Sequence, residues 1–171
     1  GGAGYIGSQF VRYYTRCRPG EKVVILDNLV EGHVEAIDGL ADVHLERADI
    51  GDYESVKKIL LEHQVDAVVH FASYCYVGES QENPSKYYQN NVAGSISLFR
   101  AMDECQVRKL VFSSSCATYG VPVELPINEE HPQNPINVYG LTKLLIEKIL
   151  SGYAETKDWS FTALRYFNAA G

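Results

Sequence analysis

Apolar residues recur along this chain in two alternating rhythms. From Tyr5 to about Arg18, the residues Ile6, Phe10, Val11 and Tyr14 fall near one face of a helix, which Pro19-Gly20 stops. Val23 to Leu26 is an unbroken β-branched and apolar run, the pattern of a strand buried on both faces, and Asp27 ends it. Residues 28–40 are polar and irregular, with Gly32 and Gly39 as turn candidates around a short helix. Val43 to Glu46 reads as a weaker strand leading to Asp49-Ile50. Asp52 is placed to cap a helix running to about His63, with Val56, Ile59, Leu60 and Leu61 as its apolar side. Asp66 to Ala72 is a second buried strand. After a loop, the pattern predicts one long helix from about Pro84 to Cys105, then a strand from Val107 to Ser113. Residues 116–136 contain Pro122, Pro126, Pro132 and Pro135 and read as a long loop, a length usually kept for function. A helix from about Asn137 to Glu155 and a strand from Phe161 to Tyr166 complete the pattern.

Helices alternating with buried strands mean an α/β fold with a parallel sheet and helices on both faces. In such a Rossmann-like, doubly wound sheet, ligands sit at the carboxyl ends of the strands. Asp27, Asp49, Phe71-Ala72-Ser73, Ser113 to Ser115 and Phe167-Asn168 all fall there. Residues 1–171 read as one nucleotide-binding domain without internal repeat or linker.

Composition narrows the function. A net charge of −7 argues against a general nucleic-acid surface or an anionic membrane as partner. No apolar run approaches the roughly 20 residues of a membrane span. Cys17, Cys75, Cys105 and Cys116 form no C-x-x-C pair, and the five histidines form no H-x-x-x-H cluster, so spacing offers no metal site. Scattered cysteines suit a reduced, cytoplasmic chain.

The candidate chemistry begins at Gly1-Gly2-Ala3-Gly4-Tyr5-Ile6-Gly7. Gly2, Gly4 and Gly7 fit G-x-G-x-x-G, while Gly1, Gly4 and Gly7 fit G-x-x-G-x-x-G. Either spacing lets backbone N–H groups approach a pyrophosphate at a helix N-terminus, although a glycine cluster at a chain start also suits a flexible linker. Asp27, at the end of the next strand, supports the first reading, because a carboxylate there accepts hydrogen bonds from an adenosine ribose and repels a 2′-phosphate. It therefore favours NAD over NADP. Asp49 fits either the adenine edge or a simple turn.

Tyr139 and Lys143 share one face of a helix at i and i+4. A nearby ammonium is expected to lower the phenol pKa from about 10, so that the phenolate can take a proton from a sugar hydroxyl while hydride leaves for NAD. A serine at the preceding strand end can bond the same hydroxyl, and Ser115 is the choice among the three. No G-x-S-x-G elbow accompanies these serines, which argues against a hydrolase. Asn90-Asn91 lies in a helix interior, where asparagine is unfavourable, so one of them is expected to hold backbone or cofactor groups, a surface position being the alternative. Phe167 fits either the nicotinamide or the core, and Asn168 is placed to orient substrate.

These residues belong to longer stretches, GGAGYIGS, LDNL, HFASYCYVGES, NPSKYYQNNVAG, FSSSCATYG, NPINVYGLTK and LRYFNAAG. Through them nearly the whole chain resembles the UDP-glucose 4-epimerases of the extended short-chain dehydrogenase/reductase superfamily. The resemblance implies that Gly1, Gly4, Tyr5, Ile6 and Gly7 hold the NAD pyrophosphate. It places Asp27 and Asn28 on the ribose, Asp49 and Ile50 by adenine, and Phe71, Ala72, Ser73 and Asn90 along the rest of the cofactor. It makes Ser115, Tyr139 and Lys143 catalytic, with Tyr139 and Lys143 also touching NAD. Phe167 would contact nicotinamide, while Ser115, Tyr139 and Asn168 would meet the UDP-sugar. The implied reaction inverts C4 of a UDP-hexose through a 4-keto sugar, with NAD retained throughout.

Other readings are an epimerase for another UDP-sugar, a nucleotide-sugar 4,6-dehydratase, or a non-catalytic NAD-binding regulator. Cys116-Ala117 stands where a dehydratase carries an acidic pair, and the complete serine, tyrosine and lysine set argues against the regulator. Cys75 stands where some family members carry lysine. Against the family pattern, the first strand and a C-terminal substrate domain are expected to lie outside the chain. The 171 residues alone are therefore expected to be inactive and poorly stable, and the intact protein to be a cytoplasmic homodimer.

Overall fold

The computed structural model describes residues 1–170 as five parallel strands interleaved with helices. In chain order these are α1 (Tyr5–Cys17), β1 (Val23–Asp27), β2 (Val43–Arg47), α2 (Tyr53–Glu62), β3 (Val68–His70), α3 (Val77–Glu82), α4 (Pro84–Tyr87), α5 (Gly94–Glu104), β4 (Lys109–Ser115), α6 (Val138–Lys157) and β5 (Ser160–Tyr166). One ladder joins β1 to β2, and another runs β3-β4-β5. All three pairings are parallel, and the longest runs from Lys109 opposite Ser160 to Ser115 opposite Tyr166.

Strand alternation sends side chains into two cores. Val23 and Ile25 of β1 pack with Val11 and Ile37, on the side of α1. Leu26, one residue on, joins the larger core of Val56, Leu60, Phe99, Met102, Phe112, Ile146 and Leu150, contributed by α2, α5, β4 and α6. Helices therefore cover both faces, as the strand pattern predicts.

The structure departs from the sequence reading at several places between Asp66 and Ser115. The strand expected over 66–72 is ordered as β3 only from Val68 to His70, and the loop after it contains α3. The expected single helix is divided into α4, a π-helical segment over Tyr88–Ala93, and α5. The strand expected to end at Ser113 continues to Ser115, so all three serines lie within β4. A π segment inside a helix often marks a functional site, and this one carries Asn90 and Asn91.

Candidate active site

The glycine turn is built by close approach. A Cβ on Gly1 would lie 2.3 Å from the backbone nitrogen of Ala72, and one on Gly7 would lie 2.3 Å from the carbonyl oxygen of Gly1. Any side chain at either position would push the turn away from the end of β3 or from α1. Gly2 faces Ile25 of β1 instead, so both overlapping fingerprints have a steric basis. Gly4 occupies the N-cap of α1 without a side-chain cap bond, and the first turn holds no acidic residue. Such a helix end favours an anion.

Beside this turn lies a pocket lined by Gly1, Gly4, Asp27, Asn28, Ile50, Phe71, Ala72, Ser73 and Asn90, all anticipated for the cofactor. Leu26, Val30, Glu31, Gly32, Ala48 and Tyr74 complete the wall; none of these stood out in the sequence beyond Gly32 as a turn. Asp27 is buried at 6% exposure. One of its carboxylate oxygens accepts the Ala3 N–H at 3.0 Å, and the other accepts the Leu29 N–H at 2.9 Å. Asp27 thus ties the glycine turn to β1 and also lines the pocket. An ionised carboxylate has about four acceptor sites, enough for both tasks.

Asp49 is not part of the pocket wall. It accepts from Asn28 Nδ2 at 2.8 Å and from the Gly51 N–H at 2.8 Å, so it holds Asn28 in place and forms a turn. These bonds match the turn reading of Asp49, and Ile50 next to it lines the pocket. Tyr5, Ile6 and Gly7 also lie off the wall, in the first turn of α1.

The asparagine pair divides its labour. Asn90 faces the pocket, while Asn91 is fully buried. Asn91 Oδ1 accepts from the Tyr74 N–H and from Asn90 Nδ2, each at 2.9 Å, and its Nδ2 donates to the Tyr74 carbonyl at 3.0 Å and to Thr142 Oγ1 at 3.2 Å. It therefore connects the loop after β3 to α6. His70 is buried nearby, its Nε2 2.9 Å from Ser95 Oγ. Burial and the Lys143 charge hold its pKa near 3, so it remains neutral.

The start of α6 is fixed by side chains from outside it. Gln81 accepts the Val138 N–H at 2.9 Å, Ser80 Oγ accepts the Tyr139 N–H at 3.1 Å, and the Asn137 cap accepts the Gly140 N–H at 2.7 Å. Three otherwise orphaned helix donors are satisfied, two of them by α3. Ser80 is fully buried, so Ser80→Ala should cost about 1–3 kcal/mol by leaving the Tyr139 N–H unpaired. Chemical denaturation of the intact protein checks this, and Ser80→Thr should recover part of the loss.

Tyr139 lies beside Ser115, whose hydrogen bond favours the phenolate. Burial is the larger influence and raises the phenol pKa. Lys143 is 2% exposed, and its Nζ donates to the Ser113 carbonyl at 2.7 Å and lies 5.7 Å from the Tyr139 ring centre. Its own pKa falls from 10.5 to about 7, because burial penalises the ammonium. The expectation that Lys143 pulls the Tyr139 pKa below its ordinary value is therefore corrected. The phenol is desolvated, and the lysine proton is directed at a backbone carbonyl.

This geometry predicts a sign for pH dependence. Between about pH 7 and 10.5, Lys143 binds fewer protons folded than unfolded, so its penalty is full below pH 7 and vanishes as pH rises through that window. Relative to Lys143→Met, wild-type protein should gain stability from pH 7 to pH 10, as read by denaturation at fixed ionic strength. A flat difference would show that the ammonium is well solvated.

Phe167 and Asn168 directly follow β5, whose last residue, Tyr166, pairs with Ser115. Phe167 is 61% exposed, and neither residue lines the pocket. The structure thus brings together Ser115, Tyr139 and Lys143 and, separately, the pocket wall, while Phe167 and Asn168 stand at the margin. Sequence reasoning missed Ser80, Gln81 and Glu147, and it left open which of Asn90 and Asn91 holds backbone groups. Glu147 had a signal, since Tyr139, Lys143 and Glu147 repeat at i, i+4 and i+8.

An uncapped helix end behind a glycine turn, an acid closing β1 and a Ser-Tyr-Lys set with its serine and lysine buried are the features of an α/β domain of the short-chain dehydrogenase type. The chain belongs to the NAD dependent epimerase/dehydratase family, which it matches over residues 1–171. It is 51% identical over its whole length to UDP-glucose 4-epimerase of Lactobacillus helveticus, covering 51% of that protein. It is 41% identical to UDP-arabinose 4-epimerase 1 of Arabidopsis thaliana, covering 42% of it. The crystal structure of UDP-glucose 4-epimerase from Brucella ovis in complex with NAD superimposes with a TM-score of 0.94 at 45% identity, the chain covering 51% of that one. The chain spans about half the length of the curated relatives it matches. No helix among the described residues is long and apolar enough to cross a membrane.

Proposed function

We propose that the intact protein carrying this chain interconverts UDP-galactose and UDP-glucose by inverting C4, using tightly held NAD. The observation that carries this reading is that Tyr139 lies beside Ser115 while the buried Lys143 donates to the Ser113 carbonyl of β4, the strand paired with β3. Phe112 pairs with His70 across β3 and β4, so Lys143, 5.0 Å from the Phe112 ring centre, sits beside the strand that leads into Phe71-Ala72-Ser73.

The residues of the pocket suit NAD, since an uncapped helix end without acidic residues adjoins the glycine turn and the Asp27 carboxylate lines the wall. Gly4, Tyr5, Ile6 and Gly7 would present α1 to the pyrophosphate. Asp27 and Asn28 would bind the adenosine ribose, Ile50 would border adenine with Asp49 supporting it, and Phe71, Ala72, Ser73 and Asn90 would flank the remainder. When bound, NAD supplies the hydride acceptor and the positive charge of its oxidised ring.

In this reading Tyr139 takes the proton from the C4 hydroxyl and gives it back to the same oxygen once C4 has been inverted. Its raised pKa keeps the proton on the phenol until a cation approaches, which ties deprotonation to a filled site. Ser115 donates to the same sugar oxygen. Lys143 steadies the cofactor ribose and adds charge behind Tyr139. Phe167 and Asn168 would close on the nicotinamide and the sugar nucleotide. The working protein is further proposed to be a cytoplasmic homodimer.

UDP-arabinose is the second candidate substrate, because one relative at 41% identity is named for it. Supplying the intact protein with each sugar nucleotide and separating the products decides between them. Dominant conversion of UDP-galactose is expected. Exclusive conversion of UDP-arabinose, or release of a dehydrated keto sugar, would overturn the assignment.

A further inference from the structure

The spacing of histidines in the sequence offers no metal site, yet the fold assembles a set of donors away from the nucleotide pocket. His44 and Glu46 are two residues apart on β2 and therefore share one face of the strand. His63 caps the C-terminal end of α2, which brings a second imidazole to the same carboxylate. Glu46 Oε1 lies 3.1 Å from His44 Nε2 and 2.8 Å from His63 Nε2. The three donor atoms all fall within 4.8 Å of one another, and the two rings lie 4.9 Å apart. None of the three residues lines the nucleotide pocket.

We propose that His44, Glu46 and His63 form a binding site for a zinc-class divalent transition cation that fastens the edge of β2 to the end of α2. Zinc bonds of about 2.0–2.2 Å to nitrogen and oxygen place tetrahedral ligand atoms roughly 3.3–3.5 Å apart. The two distances from Glu46 Oε1, 3.1 Å and 2.8 Å, need open by only roughly 0.2–0.7 Å to meet that spacing. Two imidazoles and one carboxylate suit zinc, nickel or copper, whereas magnesium and calcium prefer all-oxygen shells. At present Glu46 accepts from both ring nitrogens. Cation binding would move each Nε2 proton to Nδ1, so that both imidazoles stay neutral and offer lone pairs. Three protein ligands leave a fourth position for water. The site joins an edge strand to a helix end, so its first consequence is structural.

The test uses the intact protein, stripped of metal with a chelator and titrated with zinc chloride by calorimetry. One equivalent should bind with micromolar or tighter affinity and raise the thermal midpoint. His44→Gln, Glu46→Gln and His63→Gln should each weaken binding at least tenfold. His44 is largely exposed, so its variant should melt like wild type without zinc and lose only the zinc-dependent rise. Cobalt in place of zinc should give visible d–d bands without a thiolate charge-transfer band. Absence of binding, unchanged affinity in all three variants, or a thiolate band pointing to exposed Cys17 or Cys75 would each overturn the proposal.

Discussion

Tyr139→Phe is expected to lower turnover of the sugar nucleotide by about 10²–10⁴-fold while leaving the affinity for NAD nearly unchanged. The substitution removes one hydroxyl and keeps the ring. That ring lies at the first turn of α6, whose position is set by Ser80, Gln81 and Asn137 through backbone N–H groups, so the helix start should not move. Tyr139 also lies outside the wall formed by Asp27, Ile50 and Phe71 to Ser73, which is why cofactor retention should survive. Steady-state rates and the cofactor content of the purified protein are the two readings. Retained turnover would remove Tyr139 from the proton path. Loss of NAD along with activity would mean that the phenol supports the cofactor more than the proton transfer.

The second large effect concerns stability. Glu147 on α6 is buried and accepts from Arg165 Nη2 at 2.8 Å, from Gln133 Nε2 at 2.9 Å and from Ser114 Oγ. Arg165 on β5 also donates to Tyr119 Oη and to the Glu129 carbonyl, each at 3.0 Å. One ion pair therefore holds α6, β4, β5 and the long 116–136 loop together. Arg165→Met should destabilise the intact protein by about 3–5 kcal/mol, because it leaves a buried carboxylate without its cation. Glu147→Leu in the same background should recover much of that loss. A cost below about 1 kcal/mol would place the pair among ordinary surface bridges. Burial pushes the Glu147 pKa upward, but the bonds from Arg165, Ser114 and Gln133 prevail and hold it below 4.5. The contribution should thus be complete above about pH 4.5 and fade as pH falls further.

Local rules made much of this legible. Continuous apolar runs mark β1 and β3, an Asp marks the end of β1, and a tyrosine and lysine one turn apart mark the active helix. These features depend on neighbours a few residues away. What escaped depends on chain segments far apart. Ser80 and Gln81 look like ordinary polar loop residues until α6 docks on them. Asn91 looked interchangeable with Asn90, and only the π segment turns one inward and leaves the other on the pocket. Glu147 and Arg165 are 18 residues apart, and no sequence rhythm pairs them. The Tyr139 pKa was misjudged for a related reason. Charge proximity is visible in i, i+4 spacing, whereas desolvation depends on everything packed around the helix.

In the proposed reaction the C4 hydrogen leaves and returns within one closed site. Its most direct test is to give the intact protein UDP-galactose bearing deuterium at C4 in ordinary water and to examine the UDP-glucose formed by mass spectrometry. The label is expected to stay at C4 through many turnovers. Washout of deuterium into solvent, with protium at C4 of the product, would contradict it.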